Sequence, residues 1–223
     1  MQFRPFFVII KKMNTFVYLC DIDFPFEEGE ITPSRREEIL SCKDARVKRE
    51  KGAVFALLRL ALFHALELRI EDTDLKKLPS GKWVCSKCFF SLSHSREGAA
   101  VAVSLKDVGI DRAEADDRRF TQRLYEKITT PNERVFYGAH PEKTTVAALW
   151  TKKESLFKKE GGSAYLPFKI DTTGRACTTF YRNNAVVSVA GGEGNITVFV
   201  VTNQNGIVQI ERVQSVFSEE EER

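Results

Sequence analysis

The chain has 223 residues, of which 43% are hydrophobic and 29% are charged. This length and composition are typical of a globular protein with a sizeable core, built as one domain or as two halves. A net charge of +3 is too small to indicate a nucleic-acid partner by itself, so the positions of the charges matter more than their sum.

No apolar run reaches the length of a membrane span, and the apolar part of MQFRPFFVIIKKM is too short for a signal peptide. Five irregularly spaced cysteines favour a reducing compartment over a disulfide framework, so we expect a cytoplasmic protein. Met13 is an alternative start, because the residues after it alternate like a first strand. Residues 218–223 are acidic and are predicted to form a frayed tail.

The first half begins with a predicted strand, Thr15 to Ile22, which ends before Pro25. Thr32-Pro33-Ser34 predicts a helix start, and Ser41 to Ile70 contains the longest helical pattern, broad enough for a heavily buried helix. Basic residues precede and open this helix. They form either a solvated first turn or a site for an anion near the helix N-terminus. They are Arg35, Arg36, Arg46, Lys48, Arg49 and Lys51.

A turn at Leu78 to Lys82 is followed by a Cys85-x-x-Cys88 pair. A closed zinc site needs four ligands, and His94 is the only nearby imidazole, so we interpret the pair as small side chains on a strand. Phe89 to Ser93 alternates as a strand that runs into the tripeptide SHS. Taken alone, His94 is an ordinary hydrogen-bonded histidine.

Two further strands are predicted at Ala99 to Ser104 and at Val108 to Asp111. The second ends on a carboxylate, which is costly to bury unless a partner such as Mg²⁺ compensates the charge. The next segment, Arg112 to Lys127, contains basic residues interspersed with acidic ones. It is either a solvated helix face or a docking surface for an acidic partner. Its basic residues are Arg112, Arg118, Arg119, Arg123 and Lys127.

The segment LWTKKESLFKKE, Leu149 to Glu160, has helical spacing. Trp150, Glu154 and Phe157 share one face, and Lys158 lies one turn beyond Glu154. This pattern is typical of an ordinary amphipathic helix with i,i+4 pairing. It is equally typical of a carboxylate between aromatic side chains that meets a lysine or a metal ion.

The remainder of the chain alternates in the manner of antiparallel hairpins after a helix stop at Gly161-Gly162. Turns are predicted at Asn183-Asn184, at GGEG and at Asn205-Gly206. The predicted strands are Leu166 to Ile170, Thr178 to Arg182, Ala185 to Ala190, Ile196 to Thr202 and Ile207 to Val213.

Three motifs occur in a recognisable order: SHS at 93–95, GID at 109–111, and WTKKES at 150–155 with a lysine four residues after its glutamate. In this order and at these separations, the chain resembles a 4′-phosphopantetheinyl transferase of the Sfp type, from about Arg35 to about Glu160. The resemblance implies an α+β fold of two similar subdomains related by a pseudo-twofold axis, each a long helix on a mainly antiparallel sheet. We accordingly expect subdomains at 1–106 and 107–217, followed by the tail at 218–223.

The function implied by the resemblance is Mg²⁺-dependent transfer of 4′-phosphopantetheine from coenzyme A to a serine of an acyl or peptidyl carrier protein, with release of 3′,5′-ADP. A monomer without nucleic-acid or membrane partners is expected. One alternative is a non-catalytic relative that binds a carrier protein or coenzyme A. Another is a nucleic-acid module built on the cysteine pair and the basic helix, although aromatic interleaving and a second ligand pair are missing.

The resemblance also assigns roles to residues. Asp111 and Glu154 are the expected Mg²⁺ ligands, and Lys158 is expected to stabilise the phosphate oxygens. The catalytic base is Glu154, Lys153 or a metal-bound water. The residues expected to bind coenzyme A are Arg35, Arg36, Lys48, Arg49, Lys82, Ser93, His94 and Lys158.

Two positions depart from the family pattern. The family has Asp-x-Glu, whereas this chain has Ala113 two residues after Asp111 and an acid only at Glu114. Either a bulge returns Glu114 to the site or a water replaces the missing oxygen, and we favour the water. Trp83 stands where a proline commonly follows the glycine and lysine. Glu133, near a helix start, is expected to support the site.

Overall fold

The computed structural model describes residues 14–26, 31–71, 74–162 and 166–213. Our expectations about Met13 and about the acidic tail at 218–223 lie outside these ranges. Over the described residues the fold is mixed α+β. The helices are α1 (Pro33–Leu40), α2 (Ala45–Leu66), α3 (Gln122–Ile128), α4 (Pro131–Tyr137) and α5 (Lys143–Lys159). The strands are β1 (Asn14–Asp21), β2 (Leu75–Lys77), β3 (Trp83–Cys85), β4 (Phe89–His94), β5 (Gly98–Ser104), β6 (Val108–Glu114), β7 (Cys177–Arg182), β8 (Ala185–Gly191), β9 (Asn195–Gln204) and β10 (Ile207–Val213).

A five-stranded sheet has the order β10-β9-β1-β5-β4, and helix α2 packs on one of its faces. Strand β5 runs antiparallel to both β1 and β4, whereas β9 lies parallel to β1. Helix α2 begins at Asp44, whose side chain accepts a hydrogen bond from Arg46 N, and it ends at Glu67 in the left-handed conformation. Alternate residues of β1 and β5 pack against α2, as their period-two spacing requires.

The second sheet, in the order β6-β8-β7, packs between the first sheet and α5. The resulting layers are α2, five strands, three strands and α5, with an apolar core in each gap. Gly109 lets α5 approach β6 closely, because a Cβ at this position would lie 1.9 Å from Ser155 O. This close approach places the α5 side chains directly over the end of β6.

Several predicted elements are confirmed, including the long central helix, the strand and helix that contain GID and WTKKES, and two of the turns. Asn183 and Asn205 have φ values of 52° and 54°, which these tight hairpin turns require. The predicted strand at Leu166 to Ile170 is wrong, because Pro167–Lys169 forms a 3₁₀ turn.

The GGEG segment does not join an antiparallel hairpin. After β8 the chain crosses to the first sheet, where β9 pairs with β1 and β10 pairs with β9. The strands at 195–213 therefore belong to the sheet of the first half, although the expected boundary at 106 and 107 assigned them to the second. Alternation along a strand does not encode its partner, so local sequence could not decide this pairing.

Two serines of β4 connect the two sheets. Ser91 Oγ accepts a hydrogen bond from Ile110 N at 3.0 Å, and Ser93 Oγ accepts one from Arg112 N at 3.1 Å. Both serines are buried. These bonds give acceptors to the backbone N–H groups on the edge of β6 that does not pair with β8, and they fix β4 beside that edge.

None of the helices within the described ranges is long and apolar enough to cross a membrane.

Ser91→Ala is expected to lower the free energy of unfolding by about 1–3 kcal/mol, because it leaves the buried Ile110 N–H without an acceptor. Urea unfolding followed by circular dichroism measures the change. Ser41→Ala is the control, because Ser41 is exposed and its loss is expected to cost under about 0.5 kcal/mol. Equal small effects at the two positions would contradict the proposed connection between the sheets.

Candidate active site

Asp111 lies at the centre of β6, which continues to Glu114 and does not end on this carboxylate as predicted. It is on the face that packs against α5, and it is 7% exposed. Its Oδ1 atom accepts hydrogen bonds from Ser93 Oγ at 2.8 Å and from Lys158 Nζ at 2.6 Å. Three elements, β4, β6 and α5, thus meet at one carboxylate oxygen. The lysine compensates the charge of a carboxylate that would be costly to bury alone.

Glu154 lies one helical turn before Lys158 and is half-buried. Within the described residues its carboxylate makes no hydrogen bond and no ion pair. Burial raises its pKa, and the negative charge of Asp111 raises it further, while Lys158 and Arg119 act in the opposite direction. The charge of Asp111 therefore acts on Glu154, and the expectation that the two carboxylates bind a divalent ion stays a prediction.

The donor set fits Mg²⁺. Magnesium is usually bound by one or two carboxylates and completes its octahedron with waters and substrate phosphates. Both hydrogen bonds to Asp111 go to Oδ1, and Glu154 is a half-buried acid whose pKa is raised by burial and by the charge of Asp111. Over the described ranges no three His, Cys, Asp or Glu side chains cluster as a metal cage. Asp111 and Glu154 would then supply the protein ligands.

Glu114 lies on the opposite face of β6 from Asp111. The pairing of β6 with β8 is regular from Val108 to Glu114, so the bulge that would have turned Glu114 inward is absent from this strand. The Glu114 carboxylate accepts hydrogen bonds from Ser95 Oγ at 2.6 Å and from Arg112 at 2.8 Å. Arg112 is thereby removed from the predicted docking surface.

Lys153 does not reach this site, which corrects the expectation that it could serve as the base. Its Nζ atom lies 2.8 Å from each carboxylate oxygen of Glu133, and it also donates to the carbonyl of Ile170. Both charged side chains are fully buried. Glu133 also accepts hydrogen bonds from Thr172 N and Thr172 Oγ1 at 2.8 Å. Because neighbouring helical residues differ by about 100° in direction, Lys153 points away from the face of Glu154.

His94 ends β4 beside the N-terminal part of α2. Its Nδ1 atom lies 3.2 Å from Glu50 Oε2, and 37% of its side chain is exposed. Burial lowers the His94 pKa, and the positive charges of Lys158 and Lys51 lower it further, whereas Glu50 and Asp111 oppose the shift. The imidazole therefore lies within electrostatic reach of the Asp111–Lys158 pair.

Ser93 has a different role from the predicted one. Its hydroxyl donates to Asp111 and accepts from Arg112 N, and the residue is 4% exposed. A serine whose donor and acceptor are both used inside the protein positions the carboxylate instead of contacting a ligand.

Arg35 is likewise removed from the predicted ligand contacts, since it is 4% exposed. Its guanidinium lies over the rings of Phe55 and Trp83 at 5.3 and 4.9 Å, and it pairs with Glu38 at 2.7 Å. Burial lowers its pKa. Burial opposes ionisation of Glu38, but hydrogen bonds and charges from Lys51, Arg35 and Trp83 outweigh it and lower the Glu38 pKa to about 2. This cluster fixes α1 against α2.

The other predicted basic residues remain near the surface. Arg36 is exposed on α1, Lys48 is half-buried on α2, and Arg49 is exposed and lies 3.3 Å from Asp23. The described contacts do not join these three residues to Asp111 or Glu154, so the structure does not assign them to the site.

Lys82 contacts the site through the backbone of α5. Its Nζ donates to Lys158 O at 2.6 Å, and burial lowers its pKa. Lys82 and Lys158 line a cavity of about 230 Å³ that has aromatic walls. The lining residues are Ser80, Gly81, Lys82, Trp83, Phe90, Ser91, Leu92, Phe157, Lys158, Gly161 and Gly162.

Cys85 and Cys88 are free thiols, one half-buried and one buried. Burial and the neighbouring Cys85 raise the pKa of Cys88 to about 12.

Glu50 and Lys51 are the neighbours of His94 that our sequence reasoning did not assign. A signal for Glu50 was present, because it is in phase with Ala53, Val54 and Leu57 on the apolar face of the helix. A carboxylate at such a position is expected to be buried and to need a partner.

Residues 107–196 match the family model described as the 4′-phosphopantetheinyl transferase superfamily. The matched segment is less than half of the chain, and it contains Asp111, Glu154 and Lys158. No curated protein matches the chain. The family match thus agrees with the resemblance at the level of the superfamily.

Lys153→Met is expected to lower the free energy of unfolding by about 3–5 kcal/mol, because it leaves the fully buried Glu133 carboxylate without its cation. Adding Glu133→Gln should recover part of this loss, since the unpaired charge is then gone. Urea unfolding measures both variants, and Lys169→Met, at an exposed lysine, is the control. If Lys153→Met unfolds like that control, the buried ion pair is not formed.

Proposed function

We propose that this chain transfers 4′-phosphopantetheine from coenzyme A to a serine hydroxyl of an acyl or peptidyl carrier protein, with Mg²⁺ and with release of 3′,5′-ADP. The observation that supports the proposal best is the shared environment of Asp111 and Glu154 beside Lys158. All three residues lie in the segment that matches the superfamily. We further propose that the chain acts as a monomer in the cytoplasm, and its five free cysteines agree with a reducing compartment.

In this reaction the serine oxygen bonds to the phosphorus that carries pantetheine, and the bond from that phosphorus to the bridging oxygen of the pyrophosphate breaks. The serine proton leaves, and the bridging oxygen departs with 3′,5′-ADP. Such a transfer requires charge neutralisation, an aligned nucleophile and a proton acceptor. When bound by Asp111 and Glu154, Mg²⁺ would neutralise charge on the pyrophosphate oxygens.

The side chains divide these tasks by position. Lys158 has 28% of its side chain exposed, so its ammonium can contact a phosphate while Asp111 holds it in place. Ser93 fixes Asp111 and so sets the direction of its carboxylate. Glu154 has no hydrogen-bond partner among the described residues and is the remaining side-chain candidate to accept the serine proton, since Lys153 is buried with Glu133.

The cavity beside Lys82 and Lys158 is the proposed site for part of coenzyme A. Its walls include Trp83, Phe90 and Phe157, which suit a flat or apolar group, and the two lysines suit a neighbouring phosphate. Lys82 is half-buried and donates to the backbone of α5, so we assign it the role of shaping this cavity as well as adding positive charge.

The proposed carrier surface lies around α3 and α4. The exposed basic residues there are Arg118, Arg119, Arg123 and Lys127. Val135 and Phe136 on α4 are 88% and 71% exposed. Apolar side chains beside basic ones match an acidic helical partner, because the charges steer the encounter and the apolar groups bury surface.

A second candidate is a non-catalytic relative that binds a carrier protein or coenzyme A. The observation in its favour is Ala113, which occupies the place of an expected acid and is packed into the apolar core beneath α5.

Incubation with coenzyme A, Mg²⁺ and an apo-carrier protein is expected to add the mass of phosphopantetheine to the carrier. Asp111→Asn and Glu154→Gln should each lower the rate by a factor on the order of 100 or more, because each replaces a carboxylate that would hold the Mg²⁺ ion. Chelation of divalent ions should have a similar effect. Glu160→Gln, at an exposed acid, and Cys85→Ser should stay near the wild-type rate.

Coenzyme A binding without any mass shift on several carriers would favour the non-catalytic candidate. An essential Cys85 would contradict the structural role given to the cysteine pair.

Arg123→Glu with Lys127→Glu should raise the KM for the carrier about tenfold or more while leaving coenzyme A affinity unchanged, because like charges replace the proposed complementary ones. Steady-state kinetics at varied carrier concentration and calorimetry with coenzyme A separate the two effects. Arg212→Glu, on β10 away from α3, is the matched charge reversal. An unchanged KM would show that the carrier protein docks on another surface.

A further inference from the structure

Glu50 is a buried carboxylate with no role in the functions described above. It lies on the apolar side of α2 and is 5% exposed. Its Oε1 atom has no hydrogen-bond partner among the described residues, and the nearest cation to that oxygen is the exposed Arg46 at 3.4 Å. Burying an acid in this way is costly, so its position requires an explanation.

The other oxygen of Glu50 faces His94. Glu50 Oε2 and His94 Nδ1 are 3.2 Å apart, within reach of a charge-assisted hydrogen bond when Nδ1 carries a proton. The imidazole is partly exposed, and its Nε2 atom makes no hydrogen bond to the described residues. A ring held at Nδ1 in this manner presents Nε2 as its one available nitrogen.

Charged side chains from three elements surround His94 and determine which ligands its Nε2 atom would attract. The groups that act on the imidazole are Glu50 and Lys51 from α2, Lys158 from α5 and Asp111 from β6. Lys51 pairs with Glu38 and Lys158 pairs with Asp111, so the region combines fixed cations with matched acids. An anionic group that approached Nε2 would meet two ammonium groups near the imidazole.

We propose that Glu50 is a positioning residue: it accepts a hydrogen bond from His94 Nδ1–H, so that the ring, once protonated, directs its Nε2–H to a phosphate group of coenzyme A. This inference rests on the proposed function for the identity of the ligand. It explains why an acid occupies the apolar side of α2 one residue before Lys51. Glu50 touches His94 and not the ligand, so its effect must pass through the imidazole.

The first test needs no ligand. The chain has three histidines, so ¹⁵N-edited NMR can resolve the imidazole signals, and His94→Gln identifies that of His94. In the native protein the proton of neutral His94 is expected on Nδ1. In Glu50→Gln the population of the Nε2–H tautomer and the pKa of His94 should both change. Glu37→Gln, an exposed acid on α1, should change neither.

The second test measures coenzyme A binding by calorimetry. Glu50→Ala should weaken binding about 10- to 100-fold, as expected for losing a hydrogen bond to a charged group, and Glu50→Gln should weaken it less because an acceptor remains. In the His94→Gln background Glu50→Ala should cause no additional loss. Urea unfolding of each variant checks that it is folded at the assay temperature.

Two results would overturn the inference: an unchanged His94 tautomer and pKa in Glu50→Gln, or an equal loss of coenzyme A affinity from Glu50→Ala with and without His94. Failure of the proposed function looks different. In that case the native protein binds no coenzyme A, while the NMR test still reports whether Glu50 orients His94.

Discussion

The ion pair between Asp111 and Lys158 is the interaction on which the candidate site depends. A carboxylate that is 7% exposed needs a cation, and Lys158 of α5 supplies it, because Gly109 allows this helix to pack closely on β6. The pair joins α5 to β6. Glu154, one turn earlier on α5, is close enough for the charge of Asp111 to raise its pKa.

The side chains of helix α5 point in two directions: one contributes to a buried ion pair that stabilises the fold, and others form the candidate site. Lys153 faces the protein interior, where its pairing with Glu133 holds α4 and the Ile170 segment against the helix. Lys158 instead contacts Asp111 on β6, and Glu154 lies one turn before it. The buried pair satisfies its own charges completely, whereas Glu154 remains without a partner among the described residues. A carboxylate whose pKa is shifted by burial and by a neighbouring acid is a candidate for a functional site.

The candidate site draws on both sheets. Asp111, Glu154 and Lys158 come from the segment that matches the superfamily, while Ser93 and His94 come from β4 of the other sheet. The serine bonds from β4 to β6 bring these groups together, so the connection between the sheets is also the connection within the site. The chain also returns from β8 of the second sheet to β9, which pairs with β1 of the first sheet.

The sequence by itself determined the α+β class, most of the strands and the two long helices, because periodicity is a local property of the chain. Asp111, Glu154 and Lys158 were singled out by the resemblance of their motifs to a known family. It did not determine that β9 joins the first sheet, that Pro167–Lys169 is a turn, or that Arg35 and Lys153 are buried with acids. It also gave no partner for Glu50. Charge type is written in the sequence, but pairing depends on which distant residues pack side by side. Only the tertiary structure decided which cations compensate buried acids and which remain available to a ligand.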